Sequence, residues 1–153
     1  MNPESTPFER LLVALVLAKV DFATVGGVAC ALNGFVRTTE DVDLLVALDA
    51  GNVNRLLKVL GRIGQGYARE LSPADFADDE GAIRVIEDFP IDIFVRMCGR
   101  HLDDLRAYIR HSDIDGTPVP FLSAEGLIFL KEKSLREKDR IDVAALRRIL
   151  SES

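Results

Sequence analysis

The sequence predicts a single α/β (α+β) domain, and three of its features lead to that prediction. Several segments place apolar residues at helical spacing, and short strand-like apolar runs lie between them. Two of those runs, 82–87 and 91–95, are joined by Asp88-Phe89-Pro90, which is a hairpin signal. The chain has 153 residues, 48% hydrophobic and 29% charged, and neither an internal repeat nor a linker is evident. This suits one globular domain over 1–153.

The first half of the chain is expected to alternate between helices and strands. Residues 1–7 are rich in Pro, Ser and Thr and are expected to be flexible. The predicted elements that follow are a helix over 8–19, a strand over 21–25, a helix over 28–33, a strand over 41–48 and a helix over 53–60.

The second half opens with an acidic stretch, 67–81, which is either a solvated loop or a segment that covers a substrate or partner. After the hairpin, a short helix is expected over 101–110. The alternating Pro118 and Pro120 favour an edge strand over 117–122. Ser123 is a good cap for a helix whose buried side should include Leu135, and a last helix is expected over 139–150.

Two acids alternate with apolar residues at the start of the second predicted strand. Asp41 and Asp43 would project from one face, roughly 6–7 Å apart, while Val42 and Leu44 point into the core. Paired carboxylates are ligands that Mg²⁺ prefers. The alternative without a function is a strand that begins with two solvated acids.

Two further features could belong to the same site. A Gly26-Gly27 pair stands between a strand and a helix, where free backbone N–H groups suit a phosphate, although such turns are also common without a ligand. Asp92 lies among isoleucines in the second hairpin strand, which is costly unless the charge is compensated. From the residues alone, Asp92 is either functional or a surface-facing residue of an edge strand.

The order Val25-Gly26-Gly27, a spacer, and Asp41-Val42-Asp43-Leu44 resembles the signature of the nucleotidyltransferase (polymerase-beta-like) superfamily. The most similar branches are the small bacterial ones, namely minimal aminoglycoside nucleotidyltransferases and AbiEii-like toxins. The resemblance extends over most of the chain and implies a small mixed sheet, with helices mainly on one face and the acids on the other.

The resemblance also implies a chemistry. Asp41, Asp43 and Asp92 would hold two Mg²⁺ ions and carry out catalysis, with Asp92 nearer the attacking hydroxyl. Gly26 and Gly27 would approach the phosphates of a nucleoside triphosphate such as ATP. Many relatives have Ser at the second glycine position and use its hydroxyl there, so Gly27 would rely on backbone N–H groups.

Basic residues in two places could bind the triphosphate. Arg37 either contacts a phosphate or balances Glu40 and the aspartates. Lys131, Lys138 and Asp142 are spaced for one helical face, where the lysines would reach phosphates or form surface ion pairs such as Lys138–Asp142. Asp139 is a candidate for pairing with an arginine.

The net charge bears on the acceptor, and the cysteines bear on the cellular compartment. The net charge of −6 argues against general nucleic-acid binding and suits a small cationic acceptor, although tRNA or protein acceptors stay open. Cys30 and Cys98 are expected to be buried thiols in a reducing cytoplasm, and the apolar run 11–18 is too short to span a bilayer. The competing hypothesis is a non-catalytic nucleotide-binding module or an inactive toxin–antitoxin partner; an antitoxin or a second copy is a possible binding partner.

Overall fold

The computed structural model describes residues 5–153. Its helices are α1 (Pro7–Leu17), α2 (Gly26–Leu32), α3 (Ala50–Leu60), α4 (Ala124–Lys131) and α5 (Glu137–Glu152). Its strands are β1 (Phe22–Val25), β2 (Val42–Val46), β3 (Ala82–Ile86), β4 (Pro90–Phe94), β5 (Arg96–Met97), β6 (Arg100–His101), β7 (Ile109–Ile114) and β8 (Thr117–Leu122). Short 3₁₀ turns cover Tyr67–Glu70, Pro73–Asp75 and Leu102–Tyr108. The α+β class is confirmed.

Six strands form one mixed sheet in the order β3-β4-β2-β1-β8-β7, and β5 pairs with β6 separately. β2 runs parallel to β4 and antiparallel to β1, and β3 and β4 form the predicted hairpin. β2 is therefore one of the two central strands; it carries Asp43, and Asp41 directly precedes it.

Helices cover both faces of the sheet, whereas the sequence led us to expect them mainly on one. α1 and α3 pack against the face that carries Val42, Leu44 and Val46. α2, α4 and α5 pack against the opposite face, which carries Val25 and Leu45. Because strand residues alternate between faces, Asp43 lies on the face of α2, α4 and α5.

The start of the described chain is ordered. Thr6 caps α1 by accepting a hydrogen bond from the Glu9 N–H, the Glu9 carboxylate accepts one from the Thr6 N–H, and Pro7 is the first helical residue. The predicted flexibility of 1–7 stays a prediction: Thr6 and Pro7 belong to the start of α1, and residues 1–4 lie outside the described residues.

The prediction that β8 lies at a sheet edge is also wrong, since β8 lies between β1 and β7. It pairs with β7 along its whole length but meets β1 only at Thr24–Phe121. Pro118 and Pro120 precede that contact, so their missing N–H groups interrupt no ladder with β1.

Two residues that were predicted to be buried, Leu135 and Cys98, are exposed because they lie in turns. Leu135 is 90% exposed, because α4 ends at Lys131 and Leu135 falls in the turn before α5. Cys98 is exposed in a tight turn with φ +51°, while Cys30 is buried as predicted. The expected helix over 101–110 is a 3₁₀ turn that gives way to β7 at Ile109.

Candidate active site

The three predicted acids converge at one end of β2 and β4. Asp43 stands in register with Asp92 across the parallel pair of strands, and Asp41 precedes β2 by one residue. Each of the three offers a carboxylate oxygen, and these oxygens all lie within 4.8 Å of one another. Three oxygen donors at this spacing form a donor set that suits Mg²⁺.

Asp43 is half-buried in this acid cluster, between Asp41 and Asp92. Burial, together with the nearby charges of Asp41 and Asp92, raises the pKa of Asp43 to about 7. The charges of Lys131 and Lys138 act in the opposite direction. The positive charges near Asp43 thus do not offset its burial and its acidic neighbours, and a bound divalent cation would do so.

Arg84 is a site residue that the sequence analysis did not identify. It lies on β3 directly across from Asp92, with its Nε 2.8 Å from Asp92 Oδ1 and its Nη2 2.8 Å from Asp92 Oδ2. The same Nη2 lies 3.2 Å from Asp41 Oδ2. Hydrogen bonding from the Arg84 guanidinium holds the pKa of Asp92 below its usual value. Its position follows from the hairpin, because a turn centred on Asp88 pairs residue 84 with residue 92.

The two glycines allow neighbouring side chains to come close to the start of α2. Gly26 has φ +69°, and a Cβ there would lie 2.0 Å from Asp43 Oδ2. A Cβ on Gly27 would lie 2.4 Å from the Thr39 hydroxyl oxygen and 3.0 Å from Arg37 Nη1. Both glycines thus border the acid cluster, and their role toward phosphates stays a prediction.

Arg37 pairs with α5, an option that the sequence analysis did not consider. Its Nε lies 2.9 Å from Asp142 Oδ1 and its Nη2 lies 3.0 Å from Asp142 Oδ2. The Asp142 side chain is 1% exposed and that of Arg37 is 18% exposed. This bidentate pair ties the segment before β2 to the last helix, and it replaces the expected Lys138–Asp142 pair.

The two lysines lie on different helices, contrary to the single helical face that their spacing predicted. Lys131 ends α4, while Lys138 lies in the first turn of α5, and Ser134 occupies the break between them. Lys131 Nζ lies 3.1 Å from Asp139 Oδ1, so Asp139 pairs with a lysine and not with an arginine. Although burial raises the pKa of Asp139, the Ser134 hydroxyl and Lys131 outweigh it and the pKa is lowered. Among the described residues, Lys138 makes no ion pair.

The acidic stretch 67–81 is anchored at both ends. The buried Glu87 carboxylate accepts hydrogen bonds from the N–H groups of Gln65, Gly66 and Ala68 at 2.7, 3.0 and 3.1 Å. At the far end, the Glu80 carboxylate accepts from the N–H groups of Cys98 and Gly99 at 2.6 and 2.8 Å. Its end thus forms part of the wall around the acid cluster.

A cleft of about 430 Å³ joins these groups. Its charged lining residues are Asp41, Asp43, Glu80, Asp92, Asp139, Arg37, Arg84, Lys131, Arg136 and Lys138. A second cleft, of about 500 Å³, lies at the other end of β2. There Arg106 neutralises Asp21 and Asp103, so no cluster of unpaired carboxylates faces it in the described part of the chain.

The sequence analysis singled out eight site residues, and all of them lie in or beside the cleft of about 430 Å³. Six of them line it directly: Asp41, Asp43, Asp92, Arg37, Lys131 and Lys138. Gly26 and Gly27 lie behind Asp43 and Thr39. Arg84 was missed because it reaches the cleft from an edge strand, while Glu80, in the acidic stretch 67–81, and Arg136, at the cap of α5, were not proposed as site residues.

The fold and the acid cluster define a class of protein. A mixed sheet carries three carboxylates beside a Gly-Gly turn, and helices cover both of its faces. Within residues 5–153, every helix is too short or too polar to cross a membrane. This is an α+β domain with an acidic site at a sheet end.

Comparison with solved structures shows that this fold is similar to the folds of nucleotidyltransferases and nucleotidyltransferase-like proteins. A lincosamide antibiotic adenylyltransferase, LnuA, solved with lincomycin bound, is 16% identical with a TM-score of 0.55, over 94% of this chain and 98% of that one. A candidate nucleotidyltransferase from Thermotoga maritima is 18% identical with a TM-score of 0.52, over 94% of this chain and 90% of that one.

An antigenic nucleotidyltransferase-like protein from Paracoccidioides brasiliensis is 21% identical with a TM-score of 0.52, over 99% of this chain and 79% of that one. No protein-family model matches the sequence, and no curated protein matches it by sequence. At these identities the likeness establishes the fold.

Proposed function

We propose that this protein is a Mg²⁺-dependent nucleotidyltransferase that moves a nucleoside monophosphate from a nucleoside triphosphate to a hydroxyl group and releases pyrophosphate. The observation that carries the proposal is the convergence of Asp41, Asp43 and Asp92 within 4.8 Å, on a fold that nucleotidyltransferases use. Three close carboxylates repel one another, and bound cations would offset that repulsion.

The acid cluster fits divalent cations by the chemistry of its donors. Asp41, Asp43 and Asp92 would hold the Mg²⁺ ions. The ions would stabilise negative charge on the phosphoryl group and lower the pKa of the attacking hydroxyl. Asp92 would take the proton of that hydroxyl.

The triphosphate would lie between the start of α2 and the turn that joins α4 to α5. Lys138 is the cation best placed to bind it, because it lines the cleft, is exposed and makes no ion pair among residues 5–153. Lys131 would contribute its charge while held by Asp139, and Gly26 and Gly27 would offer backbone N–H groups. Arg37 is held by Asp142, so its contribution would come through Nη1, which faces Gly27.

We propose a small cationic molecule as the acceptor. The net charge of −6 and the carboxylate of Glu80 on the cleft wall favour such a molecule over tRNA. LnuA, a protein of similar fold, was solved with lincomycin bound. A cytoplasmic location, and pairing with an antitoxin or a second copy, stay predictions.

Transfer of label from an α-³²P nucleoside triphosphate tests the proposal. The protein is incubated with Mg²⁺, each of the four nucleotides and separate pools of cationic antibiotics, bulk tRNA and protein. Asp43→Asn should abolish labelling. Asp113→Asn, which alters an exposed carboxylate on β7, should retain it.

Label in the antibiotic pool would support the proposal in full. Label in tRNA or protein would support the reaction and overturn the acceptor. Nucleotide binding without transfer to any pool would favour a non-catalytic nucleotide-binding module, and absence of Mg²⁺-nucleotide binding would overturn the proposal.

A further inference from the structure

We infer that Arg84 is a built-in counter-cation, which occupies the position between Asp41 and Asp92 and must leave Asp92 when a divalent cation takes that position. The inference rests on the proposed function, because it assumes that the acid cluster binds metal. It assigns Arg84 a role in controlling metal loading.

The sheet register places Arg84 for this role. Arg84, Asp92 and Asp43 occupy matching positions on β3, β4 and β2, so their side chains stand in a row on one face. The Arg84 side chain thus reaches the acid cluster from the edge strand β3, whereas Lys131 and Lys138 reach the cleft from α4 and α5.

The contacts of the guanidinium overlap with those that a metal ion would make. Arg84 bonds both oxygens of Asp92 at 2.8 Å and also lies 3.2 Å from Asp41 Oδ2. It therefore bridges two of the three carboxylates. A cation that bound Asp41 and Asp92 together would need the space and the lone pairs that the guanidinium now uses.

Arg84 can leave this position without unfolding the sheet. Its side chain is 51% exposed, and β3 is an edge strand. Within the described chain, its side chain has hydrogen bonds to Asp92 and Asp41 alone. Displacement would release the guanidinium into the cleft mouth, where it would face an incoming anionic nucleotide.

Binding of Mn²⁺ without nucleotide, measured by the electron paramagnetic resonance signal of the free ion, tests the inference. Arg84→Gln removes the competitor, and Arg84→Lys keeps the charge but loses the bidentate geometry. Arg106→Gln is a matched control. Arg106 also makes a bidentate pair, with Asp21 at 2.7 and 2.6 Å, is 45% exposed and lies outside the cleft.

If Arg84 competes with the metal, Arg84→Gln will bind Mn²⁺ at least about fivefold more tightly than the wild type, a size set by removal of one nearby unit charge. Arg84→Lys should lie between the two, and Arg106→Gln should match the wild type. Equal or weaker Mn²⁺ binding by Arg84→Gln would overturn the inference, because Arg84 would then position Asp92 for the metal. The proposed function would survive that result.

A measurement on the wild-type protein makes the test independent of the variants' folding. In a ¹⁵N spectrum of arginine Nε–H groups, Mg²⁺ should shift the Arg84 signal and leave the Arg106 signal in place. An Arg84 signal that stays unchanged while Mg²⁺ binds would overturn displacement. Failure of every protein to bind Mn²⁺ or Mg²⁺ would overturn both the inference and the proposed metal site.

Discussion

Replacement of Arg37 by Ala should destabilise the protein substantially, since it leaves the carboxylate of Asp142 buried without its partner. The pair joins residues 105 positions apart in the chain, at 2.9 and 3.0 Å. Asp142 is almost fully enclosed, with 1% of its side chain exposed, so water cannot replace the guanidinium.

Removal of one member of a buried ion pair costs about 3–5 kcal/mol. Arg37 is itself 18% exposed, which reduces the desolvation that its pairing offsets, so we expect the lower end, about 3 kcal/mol. For a chain of this size that corresponds to a fall in Tm of about 6–12 °C. Asp142→Asn should cost less, about 1–2 kcal/mol, because an unpaired Arg37 can extend toward solvent.

Urea unfolding followed by circular dichroism would measure the wild type, both single variants and the double variant without Mg²⁺. The coupling free energy between the two sites should be about 2 kcal/mol. Coupling near zero, with Arg37→Ala as stable as the wild type but weaker in nucleotide affinity, would refute this reasoning. Arg37 would then be primarily a phosphate ligand, the alternative that its sequence position left open.

Three other predictions concern the start of α2, the acid cluster and the anchor of the acidic stretch 67–81. Gly26→Ala should lower the free energy of unfolding by about 2 kcal/mol or more and weaken Mn²⁺ binding, because a Cβ at φ +69° would meet Asp43 Oδ2 at 2.0 Å. A Mn²⁺ affinity equal to that of the wild type would contradict this prediction. With EDTA, the stability of the wild type relative to Asp43→Asn should fall as the pH rises from about 4 to about 7 and then level off. Folding raises the pKa of Asp43 from 3.8 to about 7, so ionisation of Asp43 destabilises the folded state. Thermal melts at each pH would measure this, and a stability difference between the two proteins that does not change with pH would contradict it. Glu87→Ala should lower the free energy of unfolding by about 2–3 kcal/mol and speed proteolysis within 65–81, because three N–H groups lose their acceptor. An unchanged rate of cleavage would contradict this prediction.

Local patterns predicted those parts of the site that depend on neighbouring residues. The Asp41-x-Asp43 spacing placed two carboxylates on one face, because side chains alternate along a strand. The hairpin signal around Asp88 placed Asp92 on a strand, and also contained the register that sets Arg84 opposite it. That second consequence required a pairing to be worked out across the turn, which a search for acid motifs alone does not do.

Periodicity misled the prediction where a helix stopped. Lys131 and Lys138 are seven residues apart, as on one helix, yet a turn around Ser134 places them on two. The same turn leaves Leu135 exposed. Helical spacing carries no signal of where the chain leaves the helix unless a Gly or Pro marks the end, and this turn has neither.

By itself the sequence determined the α+β class, the order of most elements and the three acids, because these follow from residue spacing and local backbone preference. Only the tertiary structure decided the pairing of Arg37 with Asp142, of Lys131 with Asp139 and of Arg84 with Asp92. Each carboxylate had several cations within plausible reach along the chain. The choice among them depends on which elements pack together and on how much water their packing removes, and neither is encoded in the spacing of residues along one segment.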